Sequence, residues 1–501
     1  MPSEESTFRP AMKLMSGRMA AFAITFLSPI LLVRIFSQSE FGTYKQFMLI
    51  TYTPYLIGCA FSECLFYFVP RDPARAPRYA LNSMLMLFTS GMLGLIFVVL
   101  NRSRIAGMMS NPALEPYVPM IGLYLLFTLM GTVLEITMIS RKKYSLAAAT
   151  YVASDLLRAA FLVVPALITR SLAWALAGSI VFFALRVVAV LGYLRWEFGG
   201  GIRLDRRLLR EQWAYAMPYS LAGIVYVIQQ NYHQYVVAYH FDAATFAVYS
   251  VGCLQIPLVD FLATPTSNVM MVRMAERLRD ENPRDLLDIW HDTTRKLALL
   301  FFPLVCVLFV NACTVITLLF TASYAASVPI FMVSCLSILL ATLQTDGVLR
   351  VFAEIRYLFV TNVVRLGMLL VMMSWFLSAF GLMGAVTITL LGIVLAKVMA
   401  LVRICRILQT SCSNLFPWTT LGLTLMAAVA ATLPCLIINA RMRAPAIVLL
   451  PAAAIAYAVT YAGLILIFRL LSREEIGAIK SMIWIWNRRP AQSANGLAMG
   501  S

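Results

Sequence analysis

The stretch Val33-Arg34-Ile35-Phe36-Ser37-Gln38-Ser39-Glu40-Phe41-Gly42-Thr43-Tyr44 is a short polar bend between two long apolar runs. A bilayer core asks for about 20 apolar residues per helix, and each flanking run is that long, so residues 14–69 read as a helical hairpin. The bend recurs as Val237-Ala238-Tyr239-His240-Phe241-Asp242-Ala243-Ala244-Thr245-Phe246-Ala247-Val248-Tyr249, where Phe241, Phe246 and Tyr249 repeat the spacing of Phe36, Phe41 and Tyr44. Two copies of one hairpin argue for two related halves.

Composition agrees with a bilayer environment. The chain is 61% hydrophobic and only 13% charged, with a mean hydropathy of +0.82, far from the balance of a soluble domain. Fourteen membrane-length segments follow, near 14–36, 46–69, 80–101, 117–140, 145–169, 172–194, 214–239, 246–270, 297–319, 326–348, 357–379, 382–402, 419–439 and 445–468. The runs are continuous and lack the alternation of barrel strands, so the expected class is all-α and polytopic.

A net charge of +17 invites a nucleic-acid reading, but the positions of the 40 Lys and Arg residues explain it otherwise. With the N-terminus in the cytoplasm, inside segments hold about 29 of them and outside loops about 7, which is the positive-inside bias and places both termini inside. Four lie within spans: Arg158, Arg186, Arg365 and Lys397. No aromatic-interleaved basic stripe sits on a soluble domain, so nucleic acid is not an expected partner. The nine cysteines are odd in number, form no C-x-x-C pair and read as free thiols.

Residues 196–213 read as a basic linker between the halves. Leu204, Leu208 and Leu209 share one helical face there, the pattern of a helix lying on an anionic leaflet. A second such element runs from Asn282-Pro283 with Leu286, Leu287, Ile289 and Trp290 as its apolar side. A third begins at Ser472-Arg473-Glu474-Glu475, which has capping-box spacing. It opens a cytoplasmic amphipathic tail, 471–501.

Neither H-E-x-x-H nor G-x-S-x-G occurs, no nucleotide-binding glycine fingerprint follows Gly199-Gly200-Gly201, and the three histidines lack metal-ligand spacing. No catalytic residue, metal or cofactor is expected. The informative residues are the polar ones inside spans, costly there by about 2.5–3.5 kcal/mol each and therefore prone to face a cavity. Acidic members are Glu63, Asp155, Asp260 and Asp346; Glu63, Asp260 and Asp346 are the ion-coupling candidates. Basic members are Arg18, Arg158, Arg186, Arg365 and Lys397, candidates for an anionic guest because the second half offers few acids to pair with Arg365 and Lys397. Asp155 and Arg158 stand three apart and can pair on their own helix, so a structural role is equally open for them. Span seven places Tyr219, Gly223, Tyr226, Gln230 and His233 on one stripe, either helix–helix glue or a cavity wall. Gln229, Asn231 and Gln234 broaden it towards the cavity reading.

With its basic first turn, its apolar span and the F-G-x-Y bend at Phe41 to Tyr44, the opening resembles the start of the polysaccharide transporter proteins, the Wzx-type O-antigen and exopolysaccharide flippases. The likeness extends in layout over nearly the whole chain. It implies the fold of the multidrug/oligosaccharidyl-lipid/polysaccharide (MOP) exporter superfamily: a lobe over 1–195, a second over 214–407, and two added spans over 408–470. It implies a transporter, not an enzyme, in the inner (cytoplasmic) membrane for surface polysaccharide biosynthesis. Its partners would be a polyprenyl-pyrophosphate-linked oligosaccharide, membrane lipids and polysaccharide polymerase or export proteins. No cofactor is implied beyond coupling to a proton or sodium gradient or the membrane potential. Alternatives in the same layout are a peptidoglycan-precursor flippase or a MATE-like drug/cation antiporter, and, more remotely, a membrane-embedded polymerase or ligase.

Overall fold

The computed structural model describes residues 26–199, 204–279, 283–411, 413–442 and 444–471, together with Glu475 and Gly477. Arg18, the N-terminal part of the first expected span, Asn282, the capping residues 472–474 and the tail 478–501 lie outside the described residues.

Helices carry the whole described chain, with no strand among the described residues. In the first half they are α1 (Phe26–Ile35), α2 (Gln38–Gly58), α3 (Ala60–Glu63), α4 (Leu65–Arg71), α5 (Ala76–Leu100), α6 (Arg102–Met108), α7 (Val118–Gly131), α8 (Val133–Ser140), α9 (Tyr144–Thr169) and α10 (Leu172–Phe198). Then come α11 (Arg206–His240), α12 (Ala243–Gly252), α13 (Pro257–Arg279), α14 (Pro283–Val310), α15 (Ala312–Phe320), α16 (Val328–Leu340), α17 (Thr345–Val351), α18 (Ile355–Ile407), α19 (Trp418–Ala430), α20 (Thr432–Arg441) and α21 (Ala446–Ile467).

Ten described helices or joined helices are long and apolar enough to cross a membrane, or eleven when α12 and α13 count as one broken span. This differs from the expected fourteen for identifiable reasons. The first expected span lies largely outside the described residues. The seventh, α11, is a 35-residue helix whose polar stripe keeps it from meeting the apolar test. The eleventh and twelfth form α18, assigned as one 53-residue helix with non-helical geometry at Gly381 (φ 58°, ψ −142°). That left-handed conformation is open to glycine at little cost. The chain doubles back there, and Tyr357 Oη near one end donates to Met399 O near the other at 2.9 Å.

The repeated bend is a repeated N-cap. Ser37 (φ −63°, ψ 164°) begins α2 with a capping box: the Glu40 N–H donates to Ser37 Oγ and the Ser37 N–H to the Glu40 carboxylate. Asp242 (φ −66°, ψ 169°) begins α12 and accepts from the Thr245 N–H. The two capped helices pack on each other so closely that a Cβ at Gly42 would lie 1.8 Å from Ala243 O. Phe41, Phe246 and Tyr249 are completely buried. Arg34 donates to Leu319 O at 2.8 Å and Gln38 Nε2 to Ser323 O at 2.6 Å, tying the first bend to the turn between α15 and α16.

Contacts group the chain into two compact units. One holds the chain up to Leu254 with Leu319–Phe331 and Val364–Gly392; the other holds Gln255–Leu318, Met332–Val363 and the chain from Ile393. The division by contact thus differs from the division along the chain into 1–195, 196–213, 214–407, 408–470 and 471–501, because α11 and α12 pack with the first half.

Two stripes read as membrane-surface helices are covered by protein instead, the first at Leu208 while Leu204 stays exposed. Leu208 is 2% exposed and belongs to the core that α4, α5 and α8 build in the first unit. Trp290 is fully buried with Leu286 among Met270, Met274 and Ile404 in the second unit, and its indole N–H donates to Leu415 O at 3.0 Å. An amphipathic stripe specifies an apolar neighbour without saying whether it is lipid or protein. Outside the spans, the backbone N–H of Leu208 above all, then that of Arg207 and the Arg78 guanidinium, hold the Asp205 carboxyl below its usual range, as befits an N-cap.

Gly42→Ala tests the close α2–α12 packing. It should lower the unfolding midpoint of the purified protein through about 1–3 kcal/mol of overpacking, whereas Gly422→Ala, where an added Cβ meets nothing within 4 Å, should not. Equal midpoints for the two variants would contradict the packing described.

Candidate functional site

Three helices of the first unit carry a short polar stripe at helical spacing and a fourth a single arginine beside two phenylalanines. On α9 these are Tyr151, Ser154, Asp155 and Arg158, within i to i+7; on α2, Thr51, Tyr52 and Tyr55; on α7, Tyr124 and Thr128; on α10, Arg186 one turn from Phe182 and Phe183. Residues three and four apart share a face, so each stripe needs a polar neighbour in an otherwise apolar bundle. The stripes converge on a cavity of about 400 Å³ lined by these residues with Gly131 and Thr132, within the range of about 300–1,000 Å³ usual for small-molecule sites.

Its charges are internally matched. Arg158 Nη2 meets Asp155 Oδ1 at 2.6 Å. Arg186 Nη2 meets Glu135 Oε2 at 2.6 Å, with the Glu135 side chain 2% exposed, and Arg186 Nε donates to Gly131 O at 3.3 Å. The walls are aromatic: Tyr124 sits edge-on to Phe183 with centroids 4.9 Å apart and to Phe47 at 5.6 Å, and Tyr52 stacks on Tyr55 at 6.2 Å. Thr128 Oγ1 is buried in the wall without a hydrogen-bond partner among the described residues.

Of the residues singled out from the sequence, Arg158, Arg186 and Asp155 line this cavity. Arg18 lies outside the described residues, as does the side chain of Tyr226. Gln230 is exposed on α11. His233 Nδ1 is 2.7 Å from Tyr249 Oη, and Arg365 lies within electrostatic reach of His233. Elsewhere on α11, Tyr235 Oη donates to Thr53 Oγ1 at 2.8 Å and to Leu49 O, and Ser220 Oγ to Ile57 O, so several polar groups of this helix bind α2. Glu63 and Asp260 are exposed on α3 and α13. Lys397, for which the sequence offers few acidic partners, has its Nζ 3.6 Å from Asp346 Oδ1 and donates to Leu343 O at 2.9 Å and Thr345 Oγ1 at 3.1 Å. The break between α16 and α17 exposes those groups to it. Sequence reading passed over Glu135, although a carboxylate within Val133-Leu134-Glu135-Ile136 carries the same signal as the acids it did select. Among the described residues no three His, Cys, Asp or Glu side chains gather as a metal site.

Ten or eleven membrane-length apolar helices among the described residues define a multi-pass membrane protein. The chain belongs to the family described as Polysaccharide biosynthesis protein, whose model matches residues 31–329. Solved structures show the fold. The structure titled Lipid II flippase MurJ, inward closed conformation, aligns with a TM-score of 0.69 at 10% identity over 90% of this chain and 98% of its own. An inward-facing multidrug resistance MATE family transporter of the MOP superfamily aligns with a TM-score of 0.59 at 14% identity over 78% of this chain and 96% of its own. A mutant of the Vibrio cholerae MATE transporter VcmN aligns with a TM-score of 0.55 at 12% identity over 81% of this chain and 97% of its own. Comparison with curated proteins finds no match.

The Lys397 contacts predict an order of effects. Lys397→Met removes two hydrogen bonds and should cost about 1–3 kcal/mol in the unfolding of the purified protein, whereas Asp346→Asn, whose side chain is 59% exposed, should cost less than about 1 kcal/mol. The reverse order would show that the ion pair, not the hydrogen bonds, holds the lysine.

Proposed function

We propose that the chain is a flippase for a lipid-linked oligosaccharide or polysaccharide repeat unit, carrying it from the inner to the outer leaflet of the cytoplasmic membrane. The observation that carries this reading is the polar, tyrosine-walled cavity inside an apolar helical unit, in a member of a polysaccharide biosynthesis family. A glycan head group is excluded from about 30 Å of hydrocarbon, while a polyprenyl tail remains in lipid, so the protein need only provide a wet path for the head. The fold of a structure titled as a lipid II flippase is suited to a cargo of that build.

The orientation rests on the positive-inside bias, with both termini cytoplasmic. The first bend is then at the outer surface, and the Gly42–Ala243 packing and the bonds from Arg34 and Gln38 close the outer end of the first unit. Transport would open this end and reclose it, the alternating access common to transporters built of repeats. Outward movement of an anionic head group runs with an inside-negative potential, worth about 2.3 kcal/mol per charge per 100 mV. Glu63, Asp260 and Asp346 remain the candidates for a coupled proton or sodium ion, with Asp346 acting through its contact with Lys397.

Deletion of the gene in its host, with complementation, tests the reading. Loss of surface polysaccharide together with accumulation of the lipid-linked repeat unit in the membrane, both reversed by the wild-type gene, is the expected result. Normal polysaccharide with arrested peptidoglycan synthesis, or with changed drug sensitivity alone, would overturn it.

A further inference from the structure

The first-unit cavity contains two arginines, yet its chemistry is not that of a bare anion site. Each guanidinium is bound to a carboxylate of its own chain at 2.6 Å, Arg158 to Asp155 and Arg186 to Glu135. A pyrophosphate entering here would bring its charge next to Asp155 in the wall and towards Glu135 behind Arg186. At Asp155 and Arg158 the wall instead presents a carboxylate acceptor and a guanidinium donor side by side, the set that a polyhydroxylated, uncharged ligand uses. Ring faces at Tyr52, Tyr55 and Tyr151 can receive the C–H faces of a pyranose, which an anion does not need.

We infer that this cavity binds the neutral glycosyl portion of the cargo, with the Asp155–Arg158 pair and Arg186, held in place by Glu135, serving as its hydrogen-bonding groups, and that the pyrophosphate is not bound at these arginines. This rests on the flippase reading and names the part of the cargo that the site takes.

The two roles for an arginine predict different double variants. Breaking a buried pair leaves an uncompensated charge, whereas replacing both members by neutral amides leaves hydrogen-bonding capacity. Surface polysaccharide would be measured in the deletion strain carrying R158Q, R186Q, D155N/R158Q or E135Q/R186Q, each at wild-type membrane level. Each single variant should lower export at least about tenfold and each double variant should recover to within about threefold of wild type, a coupling of the size seen between contacting residues. Tyr52→Leu should lower export while Tyr52→Phe retains it. Double variants no better than the arginine singles, or wild-type export from every variant, would overturn the inference.

A second measurement does not depend on export. The purified full chain would be titrated calorimetrically with inorganic pyrophosphate. Heat that is absent, or unchanged in R158Q and R186Q, is expected; pyrophosphate binding abolished by either substitution would overturn the inference. If the wild-type gene fails to restore polysaccharide, the flippase reading fails, while the titration still decides whether these arginines hold the anion.

Discussion

Every polar group within a hydrocarbon-embedded bundle must find its partner inside the protein, because the surrounding lipid offers none. That constraint organises the first unit. Stripes of Tyr, Thr, Asp and Arg on α2, α7, α9 and α10 would each be unstable on an isolated helix in lipid. Brought together they line one cavity, with their charges paired across or behind its wall. The same constraint explains why Arg186 is held by both Glu135 and Gly131 O, and why Lys397 in the second unit engages a carbonyl, a hydroxyl and a carboxylate together. The cavity is the remainder of this mutual satisfaction, roomy enough for a guest and lined by groups able to bind one.

The repeated bend gives the bundle its order. A serine capping box in one copy and an aspartate cap in the other begin α2 and α12 with nearly the same backbone angles, and the small residue at Gly42 lets the two helices approach to backbone contact. Aromatic residues at matching positions then fill the space behind the caps. Two halves with the same local instruction at the same place thus arrive at one contact.

Much of this was legible in the sequence. The expected segments 145–169 and 172–194 appear as α9 and α10, and the break between segments eleven and twelve falls at Gly381. Charges in apolar helices drew attention to Asp155, Arg158 and Arg186, because such residues are too costly to be incidental. The aromatic walls were not legible: in a chain with 21 tyrosines, Tyr52 or Tyr151 carries no mark that sets it apart. Partners distant along the chain were equally hidden, so nothing in the sequence joins Lys397 to Asp346, although both stand out as charges within spans. Leu208 and the stripe at 286–290 were assigned to a membrane surface since periodicity shows that one face is apolar, while only the tertiary structure shows that protein covers them.

The proposed function requires that this protein by itself move a lipid-linked glycan between leaflets. Reconstitution tests it most directly: the purified chain in liposomes loaded with lipid-linked repeat unit from the deletion strain, and glycan on the outer face scored with a lectin that does not cross the bilayer. The account predicts lectin access to glycan from the inner leaflet at a rate proportional to protein content, and reduced in R186Q. Access no faster than in protein-free liposomes, from protein shown to be folded and inserted, would contradict it.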